Sequence, residues 1–255
     1  MNTFRLSTQE KSITVFGFEY SYVILGCFTT QRTDKFVISI PYKNIEMTGQ
    51  LLQKVNSIVK LTEAEEKVFS HYWTEKALQK GAYLLRNGRV CKTDNFVVKG
   101  ALKAYFINPK SGKEEILYFA IEDWWATDMH SFQQQTPSIY NIQAVEDTQL
   151  LQISYESFQK LLEELPQLER FFRIILERYL GALQQKIIFN QVLDAQERYV
   201  DFQNRYPLIS ARFPNYLIAS YLNMSAEFLS RIRNSWVHFG NISIQIFYEN
   251  SLNAP

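Results

Sequence analysis

Short apolar runs separated by turn-forming residues occupy the middle of the chain, from residue 76 to residue 153. β-branched and aromatic residues dominate the runs, and the turns contain Gly81, Gly88, Gly100 and the segment PKSG at 109–112. This alternation predicts an antiparallel barrel or sandwich. The predicted strands lie at 83–85, 96–98, 102–107, 116–119, 140–145 and 150–153, and a short helix is expected at 155–165.

A long helical pattern follows Pro166. Its seam, in which residues recur at alternating spacings of four and three, is typical of a two-stranded coiled coil. A helix packed on its own domain would show the same spacing, so the pattern alone leaves both interpretations open. The seam residues are Leu168, Phe172, Ile175, Tyr179, Ala182 and Lys186, and the flanking residues are Leu183 and Ile187.

Residues 214–233 are predicted to form two short helices around a tight turn. Pro214 suits the first turn of a helix, Asn223-Met224 breaks the pattern, and Ser225 is the expected N-cap of the second helix. This is the layout of a DNA-reading helix-turn-helix, and an ordinary helical hairpin in a globular core is the alternative. The expected inward residues are Leu217, Ile218, Tyr221 and Leu222 on the first helix, and Phe228, Leu229 and Ile232 on the second.

The outward side of the second helix carries residue types that read base edges or hold phosphates in a major groove. Small Ala219 permits a close approach of the two helices. The candidate DNA-binding residues are Ser225, Ala226, Glu227, Ser230, Arg231 and Arg233.

The first 46 residues have a different pattern. Residues 13–28 are apolar but are interrupted by Glu19 and Ser21, and they are too short and too polar to span a bilayer. Their aromatic and β-branched content, like that of 36–40, predicts strands. Because a helical pattern follows Met47, an added or mis-assigned leader is one interpretation of residues 1–46, whose role is unknown.

Composition restricts the function classes. The chain has 255 residues, enough for two domains, and a formal net charge of +1, so any DNA contact must be local. Cys27 and Cys91 stand far apart, and the three histidines do not cluster around them, which excludes the usual zinc and iron–sulfur spacings. We expect no metal and no cofactor, and a reducing cytoplasm is the simplest compartment.

Enzyme signals are lacking in the sequence. Neighbouring carboxylates such as Glu114-Glu115 and Glu163-Glu164 diverge in a strand or a helix, so they do not face one substrate. The sequence contains no Gly-rich phosphate loop, nucleophile elbow or metal-binding histidine pair. We therefore predict a protein that is not an enzyme.

The order of barrel, long helix and helix-turn-helix resembles the Crp/Fnr superfamily of bacterial transcription regulators over residues 50–233. The most specific segments are KGAYLLRNGRVCKTDNFVVKGALKAYF (80–106), QAVEDTQLLQISYESFQKL (143–161) and LNMSAEFLSRIR (222–233). The resemblance implies an α+β fold with a jelly-roll-like antiparallel β-roll sensory domain at 47–165. It further implies a dimerisation helix at 166–193 and a winged-helix-like DNA-binding domain at 194–255.

The same resemblance implies a homodimer whose partners are double-stranded promoter DNA and RNA polymerase, with no membrane. The family's base-reading positions match Ala226, Glu227 and Arg231. Glu227 can accept a hydrogen bond from a cytosine amino group and Arg231 can donate two to guanine, each worth about 1–3 kcal/mol of discrimination. Ala226 has no polar head, so one family contact is absent.

The sensory domain departs from the family members that bind cyclic nucleotide. Their Gly-Glu and Arg positions match Ala126-Thr127 and Ser138-Ile139, and no Lys or Arg occurs between Asp123 and Lys160. A phosphate buried without a cation is costly, so we predict that cyclic AMP does not bind tightly. The aromatic and polar residues of this segment could instead line a pocket for an unknown small-molecule effector. The other interpretation is that the aromatic residues simply fill the barrel. Its candidate lining is Trp124, Trp125, Thr127, Phe132, Ser138 and Tyr140.

Residues 194–206 resemble the family's linker helix, and Arg198, Arg205 and Arg212 are candidate phosphate contacts, surface charges or salt-bridge partners. The tail at 234–255 leaves the family pattern and alternates like a strand, which fits a wing or an altered end that weakens DNA binding. The sequence therefore predicts a cytoplasmic, homodimeric regulator of transcription. The rival hypothesis is an interaction or ligand-sensing protein with a degenerate cyclic-nucleotide-binding-like domain that does not bind DNA.

Overall fold

The structure is a computed structural model that describes residues 7–15, 18–26 and 44–236. The expected strand at 36–40 and the expected wing beyond residue 236 lie outside the described residues. None of the helices in the described part of the chain is long and apolar enough to cross a membrane.

An antiparallel hairpin forms near the N-terminus, and its second strand lies within residues 13–28, where the pattern predicted strands, whereas most of its first strand precedes them. Its strands are β1, Ser7–Val15, and β2, Phe18–Gly26, and they pair along their whole length. The next element, helix α1, spans Asn44–Asn56, so the predicted domain boundary at Met47 falls inside a helix.

Two antiparallel sheets form the β-roll, as predicted. The first has the order β3-β9-β5 and the second the order β4-β8-β6-β7, in which β7 is an edge strand. The strands are β3 Thr74–Leu78, β4 Tyr83–Leu85, β5 Thr93–Lys99, β6 Leu102–Ile107, β7 Glu114–Ala120, β8 Asn141–Ala144 and β9 Thr148–Ser154.

The core of the roll explains why most of its strands were predictable. Phe96, Leu102, Ile142 and Leu150 are fully buried between the sheets. Strand β3 has only one buried residue, so its pattern gave no signal. Gly100 is required at the turn between β5 and β6, because its φ is +107° and an added Cβ would lie 2.5 Å from a Thr148 atom.

Helices surround one end of the roll, and polar side chains fix where they begin. Thr62 forms a capping box with Glu65 at the start of α2, and Ser154 caps α4. Phe69 and Phe171 then bury their rings in the same core as the sheets. The bounds are α2 Glu63–His71, α3 Met129–Gln134, α4 Tyr155–Glu164 and α5 Leu168–Val192.

The predicted seam of α5 is covered at some positions and exposed at others, since Tyr179 is 55% exposed and Ala182 is exposed as well. Leu168 is fully buried, Phe172 packs against Phe158 of α4 at 4.8 Å between ring centroids, and Lys186 faces the C-terminal helices. A second apolar stripe, exposed at each of its positions, lies one residue further along and keeps the four-three-four spacing. It comprises Leu176, Leu180, Leu183 and Ile187, which are 39% to 54% exposed. The start of the predicted seam thus packs on the chain itself, and the residues that would face a second copy of α5 stay a prediction.

Four short helices complete the described chain. Asp194 forms a capping box with Glu197 at the start of the first of them. They pack around a second apolar cluster that contains Phe213 and Leu217, and this cluster also includes Phe119 and Ile121 of the β-roll. The helices are α6 Ala195–Arg205, α7 Pro207–Arg212, α8 Asn215–Tyr221 and α9 Ala226–Trp236.

Candidate nucleic-acid interface and sensory core

The turn between α8 and α9 fixes the angle of the predicted helix-turn-helix. Asn223 adopts a φ of +54°, a conformation that asparagine tolerates better than most residues. The Met224 N–H donates to the Ala219 carbonyl at 3.0 Å, and the Ser225 hydroxyl accepts from the Phe228 N–H at 3.1 Å. Ser225 is therefore an N-cap, as predicted, and α9 has a defined start.

One face of α9 is buried and the other carries polar side chains into solvent. Leu229 and Ile232 are buried, whereas Glu227, Ser230 and Arg231 are exposed. The prediction that Phe228 faces inward was wrong, since this side chain is 37% exposed. It sits at the rim of the buried face, where the Arg231 guanidinium lies 5.4 Å from its ring centroid.

The remaining predicted residues of α9 occupy its edges. Ala226 is half-buried, and Arg233 is exposed but donates to the Asn215 side chain of α8. Arg233 thereby joins the two helices, so less of its hydrogen-bonding capacity is available to a ligand. The structure thus presents Glu227, Ser230 and Arg231 together on the accessible side of α9.

Glu227 is held in its charged form. Its own backbone N–H and the Ser225 hydroxyl bond to the carboxylate and lower its pKa, and the positive charges of Lys113 and Arg231 act in the same direction. A carboxylate is an acceptor only, so at neutral pH Glu227 can accept a hydrogen bond and cannot donate one. Lys113 belongs to the β-roll, and nothing in the sequence indicated its proximity to α9.

The three arginines considered as phosphate contacts bond to the protein itself. Arg198 donates to the carbonyls of Leu193 and Leu222, at 2.7 and 3.3 Å. Arg205 bonds to Asp201 on its own helix and to Gln185 of α5. The structure thus shows both of these arginines bonded to other groups of the chain.

Arg212 is the most strongly engaged of the three. Its guanidinium forms ion pairs with Glu122 and Glu146, both of which lie in the β-roll. The pair holds the pKa of Glu122 at about 2, and the Arg212 hydrogen bond is the largest cause. Arg212 is thus a link between the sensory domain and the C-terminal helices.

Ser220 forms a second polar link between the two parts. Its hydroxyl donates to the Glu114 carbonyl and accepts from the Ile116 N–H, both at 3.0 Å. These are backbone groups of the edge strand β7, and an edge strand otherwise leaves them unpaired. Helix α8 therefore covers the edge of the sheet, and Phe119 of β7 packs on Phe213 with ring centroids 4.3 Å apart.

Lys186 lies where α5, α8 and β7 meet. Its ammonium donates to the Leu117 carbonyl at 3.1 Å and lies 3.6 Å from the Tyr221 ring centroid. Burial lowers its pKa to about 8. A cleft of about 40 Å³ beside it is lined by residues of α5, α6 and α8, and it has room for a few water molecules only.

A buried carboxylate lies beside Ser138, one of the positions that the resemblance matches to the family's phosphate site. Asp128 caps α3 by accepting from the Ser131 N–H, and its second oxygen accepts from the Ser138 hydroxyl at 2.6 Å. Both Asp128 and Ser138 are buried. The Asp128 side chain therefore already takes up the Ser138 hydroxyl as a hydrogen-bond donor.

A second buried carboxylate lies beside it. The Asp94 carboxylate accepts from the Thr127 hydroxyl at 2.5 Å and from the Asn95 N–H at 3.0 Å. Complete burial raises the pKa of Asp94 to about 6 in spite of these two hydrogen bonds. The Tyr118 and Tyr140 hydroxyls both donate to the Thr127 carbonyl, so hydrogen bonds hold the backbone of Thr127 as well as its side chain.

The candidate aromatic lining is spread over separate contacts. Trp124 packs edge-on against Tyr206 of the C-terminal helices. Trp125 packs on Phe96, and Phe132 packs on Tyr155 and Phe158. Thr127, Ser138 and Tyr140 do lie together, but their hydroxyl groups already bond to Asp94, to Asp128 and to the Thr127 carbonyl.

Comparison with known proteins agrees with this architecture. The cyclic nucleotide-binding domain family matches residues 75–165. Transcriptional activator protein anr of Pseudomonas aeruginosa is 27% identical over 186 residues, covering 67% of this chain and 73% of that protein. The anaerobic regulatory protein of Haemophilus influenzae is 26% identical over 186 residues, covering 67% and 70%.

A solved structure shows the same fold. FixK2 from Bradyrhizobium japonicum superposes with a TM-score of 0.57 at 16% identity, covering 67% of this chain and 89% of that one. A cyclic-nucleotide-binding β-roll followed by a long helix and a helix-turn-helix defines the class of protein. In sequence and fold the chain is similar to transcription regulators of the Crp/Fnr type, and its residues 75–165 match the cyclic nucleotide-binding domain family.

Proposed function

We propose that the protein binds promoter DNA as a homodimer and reads its sequence with α9. The observation that carries this proposal is the exposed polar face of α9, presented by a capped and hydrogen-bonded turn. Glu227 and Arg231 lie one helical turn apart on it, as base-reading side chains of a recognition helix do. The buried residues of the same helix anchor it, so the face can dock without rearrangement.

Dimerisation through α5 is supported by its exposed apolar stripe. Leu176, Leu180, Leu183 and Ile187 are spaced as the core positions of a two-stranded coiled coil. An exposed apolar stripe of this length on a soluble domain marks an interaction surface. A second copy of α5 carries the same stripe, and a two-fold pair would present two α9 helices to successive major grooves.

The sensory domain is proposed to act without cyclic AMP. The Ser138 hydroxyl, at a position matched to the phosphate site, is taken up by the Asp128 side chain, and the segment offers no cation to balance a bound phosphate. We propose instead that an effector of another chemical class acts on this domain. We further propose that the protein contacts RNA polymerase at the promoter and is located in the cytoplasm, beside the chromosome.

Selection from random duplex DNA tests the proposal, followed by fluorescence anisotropy of the enriched sequence at two salt concentrations. We expect an inverted repeat with half-sites about one DNA turn apart. Arg231→Ala should cost about 1–3 kcal/mol and relax the preference at one position of each half-site. Arg89→Ala, which removes an exposed arginine of the β-roll, is the matched control and should leave binding unchanged.

Failure to enrich any sequence would count against DNA reading if the protein is folded and dimeric. The rival hypothesis, an interaction protein with a degenerate sensory domain, would then be favoured. Loss of folding in Arg231→Ala is not expected, since its side chain is exposed.

A further inference from the structure

The loop that joins β6 to β7 lies beside the start of the recognition helix. It comprises residues 108–113, and it leads directly into Glu114, whose carbonyl accepts from the Ser220 hydroxyl. Ser220 stands in the last turn of α8, and α9 begins at Ala226. The hydrogen bonds of Ser220 therefore hold this hairpin of the sensory domain next to the predicted DNA-reading face.

The hairpin has a fixed shape. The Asn108 side chain accepts from the N–H groups of Lys110 and Ser111, at 2.9 and 3.3 Å. Its backbone pairs with Lys113 and Gly112, and Gly112 supplies a φ of +68°. A loop fixed in this way loses little further conformational entropy when it binds a partner.

Two lysines project from this hairpin. Lys110 and Lys113 are both exposed, and within the described residues neither ammonium makes an ion pair or a hydrogen bond. The positive charge of Lys113 nevertheless reaches Glu227 of α9 and lowers the pKa of that carboxyl. The hairpin thus places the charge of Lys113 near the face that carries Glu227 and Arg231, and Lys110 adds a second positive charge to the same short loop.

We propose that the β6–β7 hairpin is a second DNA-contacting element, in which Lys110 and Lys113 bind backbone phosphates beside the major groove that α9 enters. The inference rests on the proposed function. A recognition helix places its first residues against base edges, so the phosphates that border the groove pass close to its N-terminal end. Phosphate contacts fix the register of a protein on DNA without reading sequence.

This arrangement makes the sensory domain part of the DNA interface. The hairpin belongs to the β-roll, whereas α9 belongs to the C-terminal helices, so one duplex would contact both. A movement of the β-roll relative to α8 would then change the number of phosphate contacts as well as the position of α9. Lys113 would also exchange its interaction with Glu227 for a phosphate, leaving the carboxylate to a cytosine amino group.

The test compares salt dependence in matched double variants. Lys110→Ala/Lys113→Ala removes the two hairpin charges. Lys76→Ala/Lys160→Ala removes two exposed lysines from β3 and α4, so both variants have the same net charge. Binding of the selected duplex is measured by anisotropy across a range of salt concentrations, and thermal unfolding by circular dichroism checks that each variant is folded.

The hairpin variant should bind more weakly and lower the slope of log affinity against log salt by about 2, one unit for each lysine. Its sequence preference should be unchanged, because phosphate contacts are sequence-independent. A slope equal to that of the wild type and of the control variant would overturn the hairpin proposal.

The two proposals fail in different ways. If the wild type selects a sequence that Arg231→Ala relaxes, and the hairpin variant keeps the wild-type slope, only the hairpin role is refuted. If the wild type selects no sequence and shows no salt-dependent binding to any duplex, both are refuted.

Discussion

The Arg212 guanidinium donates two hydrogen bonds to the Glu122 carboxylate, of 2.6 and 2.9 Å. The two residues are far apart in the chain, one at the end of α7 and the other just after β7. Two-bond geometry of this kind gives direction as well as attraction. The same guanidinium also bonds to Glu146, so the C-terminal helices are held on the β-roll at a defined angle.

Replacing Arg212 should destabilise the contact between the domains. We expect Arg212→Met to lower the free energy of unfolding by about 1–2 kcal/mol at pH 7, a modest value because the groups are partly exposed. Arg173→Met is the matched control, since Arg173 pairs with Glu177 on the surface of its own helix. Urea unfolding measures both, and equal losses would contradict a special role for Arg212.

The Arg212 contribution should depend on pH in a defined direction. In the folded protein the pKa of Glu122 is about 2, below its ordinary value of 4.5. A depressed carboxyl pKa stabilises the fold above the unfolded value, and the stabilisation is lost as pH falls from about 4.5 toward 2. The difference between wild type and Arg212→Met should therefore shrink between pH 5 and pH 3. A constant difference would argue against the ion pair as its source.

Asp94 should have the opposite pH dependence. Its folded pKa is about 6, above its ordinary value of 3.8, because the carboxyl is completely buried. Its contribution to stability is full below about pH 3.8 and is lost as pH rises through 6. Asp94→Asn keeps an oxygen that can accept from Thr127, so it should be more stable than wild type at pH 8, by about 1–3 kcal/mol. Urea unfolding at pH 4, 6 and 8 measures the difference in unfolding free energy between Asp94→Asn and wild type. A difference that stays constant with pH would contradict this reasoning.

The apolar stripe on α5 gives a prediction about assembly. Leu180→Glu places a charge in the middle of the proposed two-stranded seam, and its side chain is 54% exposed, so the fold of one chain should survive. Sedimentation equilibrium should show a dimer for wild type and a monomer for the variant. Leu208→Glu, at a position 68% exposed on α7, is the control and should remain dimeric. A dimer that survives Leu180→Glu would place the interface elsewhere.

Cyclic AMP should not bind with measurable affinity. The Ser138 hydroxyl, at a position that the resemblance matches to the phosphate site, donates to the Asp128 carboxyl, and we expect binding to require breaking this contact. Titration calorimetry with micromolar protein should give only the heat of dilution. Saturable one-to-one binding would contradict this expectation.

Elements with a clear local pattern were predictable from the sequence. The β6 strand was predicted with its observed bounds, and Ser225 was identified as the cap of α9, because alternation and capping are properties of neighbouring residues. The polar strand β3 and the short helix α3 gave no such signal. Phe228 was placed on the wrong face because helical spacing does not locate the rim of a buried stripe.

Features that depend on residues far apart in the chain were not predictable. The spacing along α5 does not show which of its apolar residues pack on the chain itself, since both faces of the helix are apolar, and the packing of Phe172 and Lys186 appears only in the structure. The partners of Arg212 and Ser220 lie on the β-roll, and spacing along the chain contains no information about them. The position of Lys113 beside Glu227 follows from those same contacts.

The way α8 covers β7 has a consequence for the solubility of the sensory domain. An uncovered edge strand with buried apolar neighbours invites strand addition from another molecule. Ser220 occupies the hydrogen-bonding groups at Glu114 and Ile116, and Phe213 shields Phe119. Helix α8 thus occupies an edge at which a strand of another molecule could otherwise pair, and a chain cut before α8 would leave these backbone groups of β7 without their Ser220 partner.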